Sequence, residues 1–129
     1  MLIDSSAIVA LLLREPGSES IEAAIEGSEA VFVSSATLFE TYIVLTRRSG
    51  KDESALIERF VAQIGAEVIP FSQSLWLLAA AAFLRYGKGR HRAALNFGDC
   101  MVYATAKQAG LPLLFLGNDF SQTDINPAS

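Results

Sequence analysis

A single cysteine and a single histidine are all that the chain holds of the side chains that build disulfides and zinc sites. Cys100 alone cannot form an internal disulfide, and its apolar neighbours make it a packing residue; both points favour a reducing, cytoplasmic setting. Charge is sparse, at 19% of 129 residues, while 51% are hydrophobic, which excludes a disordered chain and marks a well-buried one. Bilayer-length apolar runs are missing too, because Arg14, Arg47 and Arg85 interrupt the longest before the roughly 20 residues that a span requires. No basic segment leading into an apolar stretch and cleavage site opens the sequence, so neither a secretory leader nor membrane attachment is expected. With no repeat, low-complexity tract or interdomain linker, residues 1–129 are expected to form one domain.

Positive charge is scarce overall, and the net charge of -4 looks hostile to nucleic acid. Its distribution says otherwise. Arg85, Lys88, Arg90 and Arg92 crowd into "RYGKGRHR" with His91, and Arg47, Arg48 and Lys51 form a second patch. Two local basic surfaces can exist on an acidic protein. Solvated loop and helix-end charges explain the same residues equally well.

What is present is an alternation. Short apolar runs at 1–3 ("MLI"), 30–34 ("AVFVS"), 67–71 ("EVIPF") and 112–116 ("PLLFL") are too uniformly apolar for one-sided strands and suit a sheet buried on both faces. Between them lie six helical patterns, with Ser6, Ser18, Ser35, Asp52 and Ser72 as candidate N-caps and glycines such as Gly50, Gly65 and Gly110 past their ends. Strands alternating with helices imply an α/β fold: a mostly parallel sheet of four to five strands with helices on both faces. A short fifth strand is expected around Thr123–Ile125.

Four acids break this pattern. Asp4 ends the first apolar run, and Asp119 follows "PLLFL" after a Gly117-Asn118 turn, so both fall at carboxyl ends of strands, where open α/β sheets bind ligands. Glu40 shares a helical face with Ala36, Ile43 and Val44, and Asp99 shares one with Val102, Tyr103 and Ala106. Each has an ordinary explanation: a helix cap for Asp4, a first-turn acid for Asp99, a snorkelling or hydrogen-bonded Glu40, turn chemistry for Asp119. Asp124 in "SQTDI" is a weaker candidate. If the four converge, two unit charges about 4 Å apart repel by on the order of 4 kcal/mol at an effective dielectric near 20. Such a cluster must take up protons or bind a cation, and oxygen-only ligands select Mg²⁺ or Mn²⁺. That chemistry suits a metal-dependent phosphodiesterase or phosphatase.

"MLIDSSAIVALLLREPG", "SSATLFETYIVLTRR", "GKGRHRAALNFGDCMVYATAK" and "LLFLGNDFSQTDI", in this order and over essentially the whole chain, resemble the successive motifs of PIN-domain proteins, specifically the VapC-type toxins of prokaryotic toxin–antitoxin pairs. The resemblance implies a single PIN domain and an endoribonuclease that hydrolyses RNA phosphodiester bonds with Mg²⁺ (or Mn²⁺). It implies that Asp4, Glu40, Asp99 and Asp119 are the catalytic acids, with Asp4 and Asp99 as principal metal ligands. Ser5 or Ser6 would then start the next helix and leave Asp4 free. A cognate VapB-type antitoxin, an RNA substrate and a homodimer are the partners it implies, and Arg85, Lys88, Arg90 and Arg92, together with the Arg47 and Arg48 cluster, become candidate phosphate contacts. The chain departs from the pattern twice: Arg92 and Ala93 where many relatives have a proline after the histidine, and Asn118 where an acid is common. Asn118 lowers the local negative charge.

Different classes stay open on residues alone. A receiver domain would want an acidic pair after its first strand, where Asp4 is followed by Ser5, and a lysine after a late strand, which "LLFLGND" lacks. A metal-dependent phosphatase acting on a small substrate and a non-catalytic PIN-like binding domain also fit these residues. His91 is expected to be a solvated loop residue. Trp76 is expected in the core or a subunit interface.

Overall fold

The computed structural model describes residues 1–128. In chain order the elements are β1 (Leu2–Ile3), α1 (Ser5–Leu13), α2 (Ser18–Glu26), β2 (Phe32–Ser34), α3 (Ser35–Ser49), α4 (Ser54–Ile64), β3 (Glu67–Ile69), α5 (Gln73–Tyr86), α6 (Phe97–Ala109) and β4 (Leu113–Leu114), followed by a 3₁₀ turn at Phe120–Gln122. The sheet is wholly parallel with order β3-β2-β1-β4. The expected α/β class and all six helices are therefore present.

Backbone hydrogen bonds join strands that lie far apart in the chain. Leu2 N–H donates to Pro112 O at 2.9 Å, Asp4 N–H to Leu114 O at 2.9 Å, and Phe32 N–H to Met1 O at 2.8 Å. Alternate side chains then enter opposite layers. Leu2 and Leu113 pack with Ala82 and Tyr86 of α5 and Val102 and Tyr103 of α6. One residue on, Ile3 and Leu114 pack with Ala7 and Ile8 of α1, Ile21 of α2 and Phe60 of α4. Burying a side chain of this size contributes about 1.5–3 kcal/mol, so the paired apolar runs hold both layers.

Local expectations are corrected at several places. The edge strand β3 is short and open, with Glu67 and Val68 exposed, and Pro70 follows it with no N–H to offer outward from the edge. No strand forms at Thr123–Ile125. Thr123 Oγ1 instead donates to Phe120 O at 2.7 Å and accepts from Ile125 N–H at 3.2 Å, which bends the chain. Pairing begins just beyond: Leu113 N–H donates to Asn126 O and Ala128 N–H to Leu113 O, each at 2.9 Å, with Pro127 opposite Leu113. Helix α3 is capped by Ser34, whose Oγ accepts from Ala36 N–H at 3.1 Å, and not by Ser35. Gly17, not Ser18, occupies the N-cap of α2. Trp76 is 56% exposed in the chain alone, so it does not belong to the core.

In this sheet order β1 is followed by β2 on one side and lies beside β4 on the other. The chain's direction of winding reverses between β1 and β4, and a crevice opens beyond their carboxyl ends.

Candidate active site

Asp4 stands at that reversal point, directly after β1, and is itself the N-cap of α1. Its Oδ2 accepts from Ser6 N–H at 3.1 Å and from the Ser6 hydroxyl at 2.6 Å. Ser6 Oγ in turn accepts from Leu116 N–H at 3.0 Å. The expectation that Ser5 or Ser6 caps the helix and leaves Asp4 uncommitted is corrected here. Asp4 caps through one oxygen, while Ser6 fastens that carboxylate to the chain leaving β4.

Asp99 sits in the first turn of α6 within a reciprocal cap: Asn96 Oδ1 accepts from Asp99 N–H at 2.9 Å, and Asp99 Oδ2 accepts from Asn96 N–H at 3.0 Å. Glu40, half-buried in the middle of α3, reaches across to the same helix start. A Cβ at Gly98 would overlap its carboxylate, so glycine is what lets Glu40 lie against the positive end of α6. Asp119 is exposed, after Gly117 in the left-handed region at φ 98°, and the next residue, Phe120, anchors the turn by packing on Phe115 at 5.3 Å between ring centroids.

All four acids line one open concavity of about 390 Å³, together with Ser6, Asn96 and a fifth carboxylate, Glu15. Sequence reasoning missed Glu15 because nothing in "REPG" marks it. Its position depends on Arg14 adopting φ 52°, a left-handed helix end that turns the chain back, with Glu15 N–H on Ala10 O at 2.9 Å. A larger groove of about 470 Å³ lies elsewhere, between α1, α2 and α4; its acids, Glu22 and Glu26, include none of these four.

Burial and mutual repulsion dominate the electrostatics. Desolvation is the main cause that pushes the Asp4 carboxyl up to about 6, with the Glu40 charge adding to it and the Ser6 hydrogen bonds opposing it. Asp99 is pushed up to about 7, first by desolvation and then by the charges of Asp4, Asp119 and Glu40, against the Asn96 N–H. All three of those charges line the same concavity. Cys100 is buried, and its thiol is raised by burial and by Asp99, which keeps it protonated and unreactive.

The donor set is carboxylate and amide oxygen, with no imidazole or thiolate facing the concavity, and fits a hard divalent ion. Among the described residues no three His, Cys, Asp or Glu side chains already stand close enough to enclose an ion.

The basic residues divide. Arg85 pairs with Asp124 at 3.7 Å and lies 4.7 Å from the Tyr86 ring centre; Asp124 also accepts from Lys107 at 3.0 Å and from the Tyr103 hydroxyl. That network ties the C-terminal segment to α5 and α6 and accounts for Asp124 structurally. Lys88, Arg90 and Arg92 are exposed, and none of the 85–92 cations lines the concavity. His91 is half-buried and not a free loop side chain: its Nδ1 accepts from Ala93 N–H at 3.0 Å, and its ring stands edge-on to Tyr86 at 5.1 Å. Arg48, at the end of α3, pairs with Glu15 at 3.6 Å and so stands at the rim.

The PIN domain family matches residues 1–126. The chain is 48% identical over 126 residues to the VapC ribonuclease Mb2004c of Mycobacterium bovis and to ribonuclease VapC36 of Mycobacterium tuberculosis, covering 97% of this chain and 91% of each relative. Among solved structures it is similar to M. tuberculosis VapC20, described as a sarcin-ricin loop cleaving toxin, with a TM-score of 0.75 and 20% identity over 98% of both chains. It also resembles a toxin–antitoxin complex from Klebsiella pneumoniae, with a TM-score of 0.70 and 20% identity over 95% of this chain and 92% of that one. At those identities the structural likeness speaks for the fold, whereas the closer sequence relatives and the family match carry membership. The chain belongs to the PIN-domain family, among its VapC ribonucleases.

Proposed function

We propose that this chain is the toxin of a VapBC-type pair, an endoribonuclease that hydrolyses RNA phosphodiester bonds at the carboxylate concavity. The observation that carries the reading is the convergence of Asp4, Glu40, Asp99 and Asp119 on one open surface at the winding reversal of the sheet.

Asp4 and Asp99 are the two most deeply buried of these acids and the two whose protonation is most perturbed, so they are the residues to hold Mg²⁺ or Mn²⁺. Two protein carboxylates suffice for an ion that retains several waters. When bound, the ion supplies positive charge for the scissile phosphate and lowers the pKa of a coordinated water. Ser6 and Asn96 fix the two ligands by hydrogen bonds. Glu40, held over Gly98, and the exposed Asp119 share the concavity and would orient the attacking water. The openness of the site suits a chain substrate, and the exposed Lys88, Arg90 and Arg92, outside the concavity, supply a further basic surface for it, with Arg85 beside them held by Asp124. A cognate VapB-type antitoxin is the proposed regulator. The exposed apolar residues of α5 support a homodimer. Among the described residues no helix is long and apolar enough to cross a membrane.

The test is cleavage of total cellular RNA by antitoxin-free protein, with Mg²⁺ or Mn²⁺ and with EDTA, beside Asp4→Asn and Asp99→Asn. The expected outcome is metal-dependent cutting lost in both variants, each still folded by circular dichroism. Undiminished cutting by both variants would refute the site, and hydrolysis of a generic phosphomonoester with no action on RNA would refute the substrate class.

A further inference from the structure

We propose that RNA leaves the carboxylate concavity along α3, with its phosphates on Arg47 and Arg48, and that Glu15 holds Arg48 at the rim until a phosphate replaces it. This rests on the ribonuclease reading above and names the surface by which the substrate is held. The concavity presents five carboxylates, so a polyanion needs cations close beside it, and the cation fixed at its rim is Arg48. Its partner Glu15 is itself a lining residue, which keeps Arg48 at the mouth of the site. Helix geometry supplies the direction. Glu40 and Val44, at i and i+4 on α3, both line the concavity, and Arg47 and Arg48 at i+7 and i+8 continue that stripe. At a rise of roughly 1.5 Å per residue the arginines lie about 11–12 Å along the axis from Glu40, two turns from the reacting centre. Lys51 follows just past the helix end.

The Arg48–Glu15 pair is built to exchange. Its side chains are 58% and 38% exposed, and an exposed pair of this kind contributes little to folding. A phosphate offers the guanidinium two acceptor oxygens in a fork that suits it better than a single 3.6 Å contact. Among the described residues Arg47 makes no ion pair. Arg85, by contrast, is already held by Asp124 and the Tyr86 ring.

The experiment measures binding of a short fluorescein-labelled 2′-O-methyl RNA of random sequence by anisotropy across a series of KCl concentrations, in Mg²⁺, alongside cleavage of total RNA. Loss of two phosphate contacts in the Arg47→Gln, Arg48→Gln double variant is expected to lower the slope of log affinity against log salt by about 1.4, at about 0.7 per contact for single strands. Arg59→Gln, a charge removed from exposed α4, is expected to leave the slope unaltered, and Arg48→Lys to keep it near the parent's. Glu15→Gln is expected to tighten binding several-fold in the parent and to do nothing when Arg48 is already Gln. Parent protein that binds and cuts RNA while the double variant keeps the full slope would overturn this proposal alone. Parent protein that neither binds nor cuts would overturn the ribonuclease reading with it. A Glu15→Gln gain that persists without Arg48 would show that Glu15 acts by simple repulsion and would remove the exchange.

Discussion

Asp4 and Asp99 hold their protons well into the range where an ordinary aspartate has lost them, at about 6 and about 7 against 3.8. Because the folded-state values are raised, the folded protein binds more protons than the unfolded chain between pH 4 and 7, and metal-free stability falls as pH rises through that window. Both shifts act in the same direction, so the cost of ionising these two carboxyls grows toward neutral pH. Urea unfolding of metal-free protein at pH 4.5 and 7.5 is expected to show this decline, and Asp99→Asn to reduce it and to be more stable than the parent at pH 7.5. Added Mg²⁺ is expected to offset the decline in the parent. A parent whose stability rises steadily over this interval would show that these carboxyls are ionised without penalty. The four acids were legible in the sequence because each broke a local pattern: a charge ending a buried run, or one on an apolar helical face. Their capping roles were less legible. Asp4 and Asn96 were overshadowed by nearby serines and a glycine, and Glu15 depends on a left-handed turn at Arg14 that its residue type disfavours.

Among the elements, α5 departs furthest from what its composition suggests. "SLWLLAAAAFLRY" is apolar on all sides, the pattern of a helix buried all round. Yet only Leu75, Ala82 and Tyr86 are buried in the chain, while Trp76, Leu77, Phe83 and Leu84 are 44–63% exposed. Trp76, Ala80 and Phe83, with Leu77 and Leu84 beside them, make one broad stripe, and its small alanines permit close approach of another helix. An isologous pairing of two copies would bury it. Trp76→Glu is expected to convert a dimer to a monomer in light scattering at micromolar concentration, with cleavage chemistry at the distant concavity intact in excess enzyme. A dimer that survives Trp76→Glu together with Leu84→Glu would place the interface elsewhere. Sequence periodicity could not separate this face from the core, because a residue buried by its own chain and one awaiting a second copy have the same side chain.

Across the whole molecule, the parallel sheet and its two helical layers were legible because successive short apolar runs are separated by pairs of helical patterns. The strand order was not. Four runs of similar apolarity do not reveal which pair lies at the centre, and β3 proved to be an edge where only Ile69 is half-buried. The opposite edge is finished differently, by Asn126, Pro127 and Ala128 against Leu113. Proline offers no outward N–H, so a sheet ending there cannot recruit a further strand in regular register. Removing residues 126–129 is expected to leave the four-stranded sheet assembled but to raise its tendency to associate on warming, seen as light scattering at temperatures where the parent remains clear. Equal clarity in the shortened chain would show that the edge needs no cover. Asn126, Pro127 and Ala128, which complete this edge, thus serve as a stop against fibrillar stacking on the β4 side of the sheet.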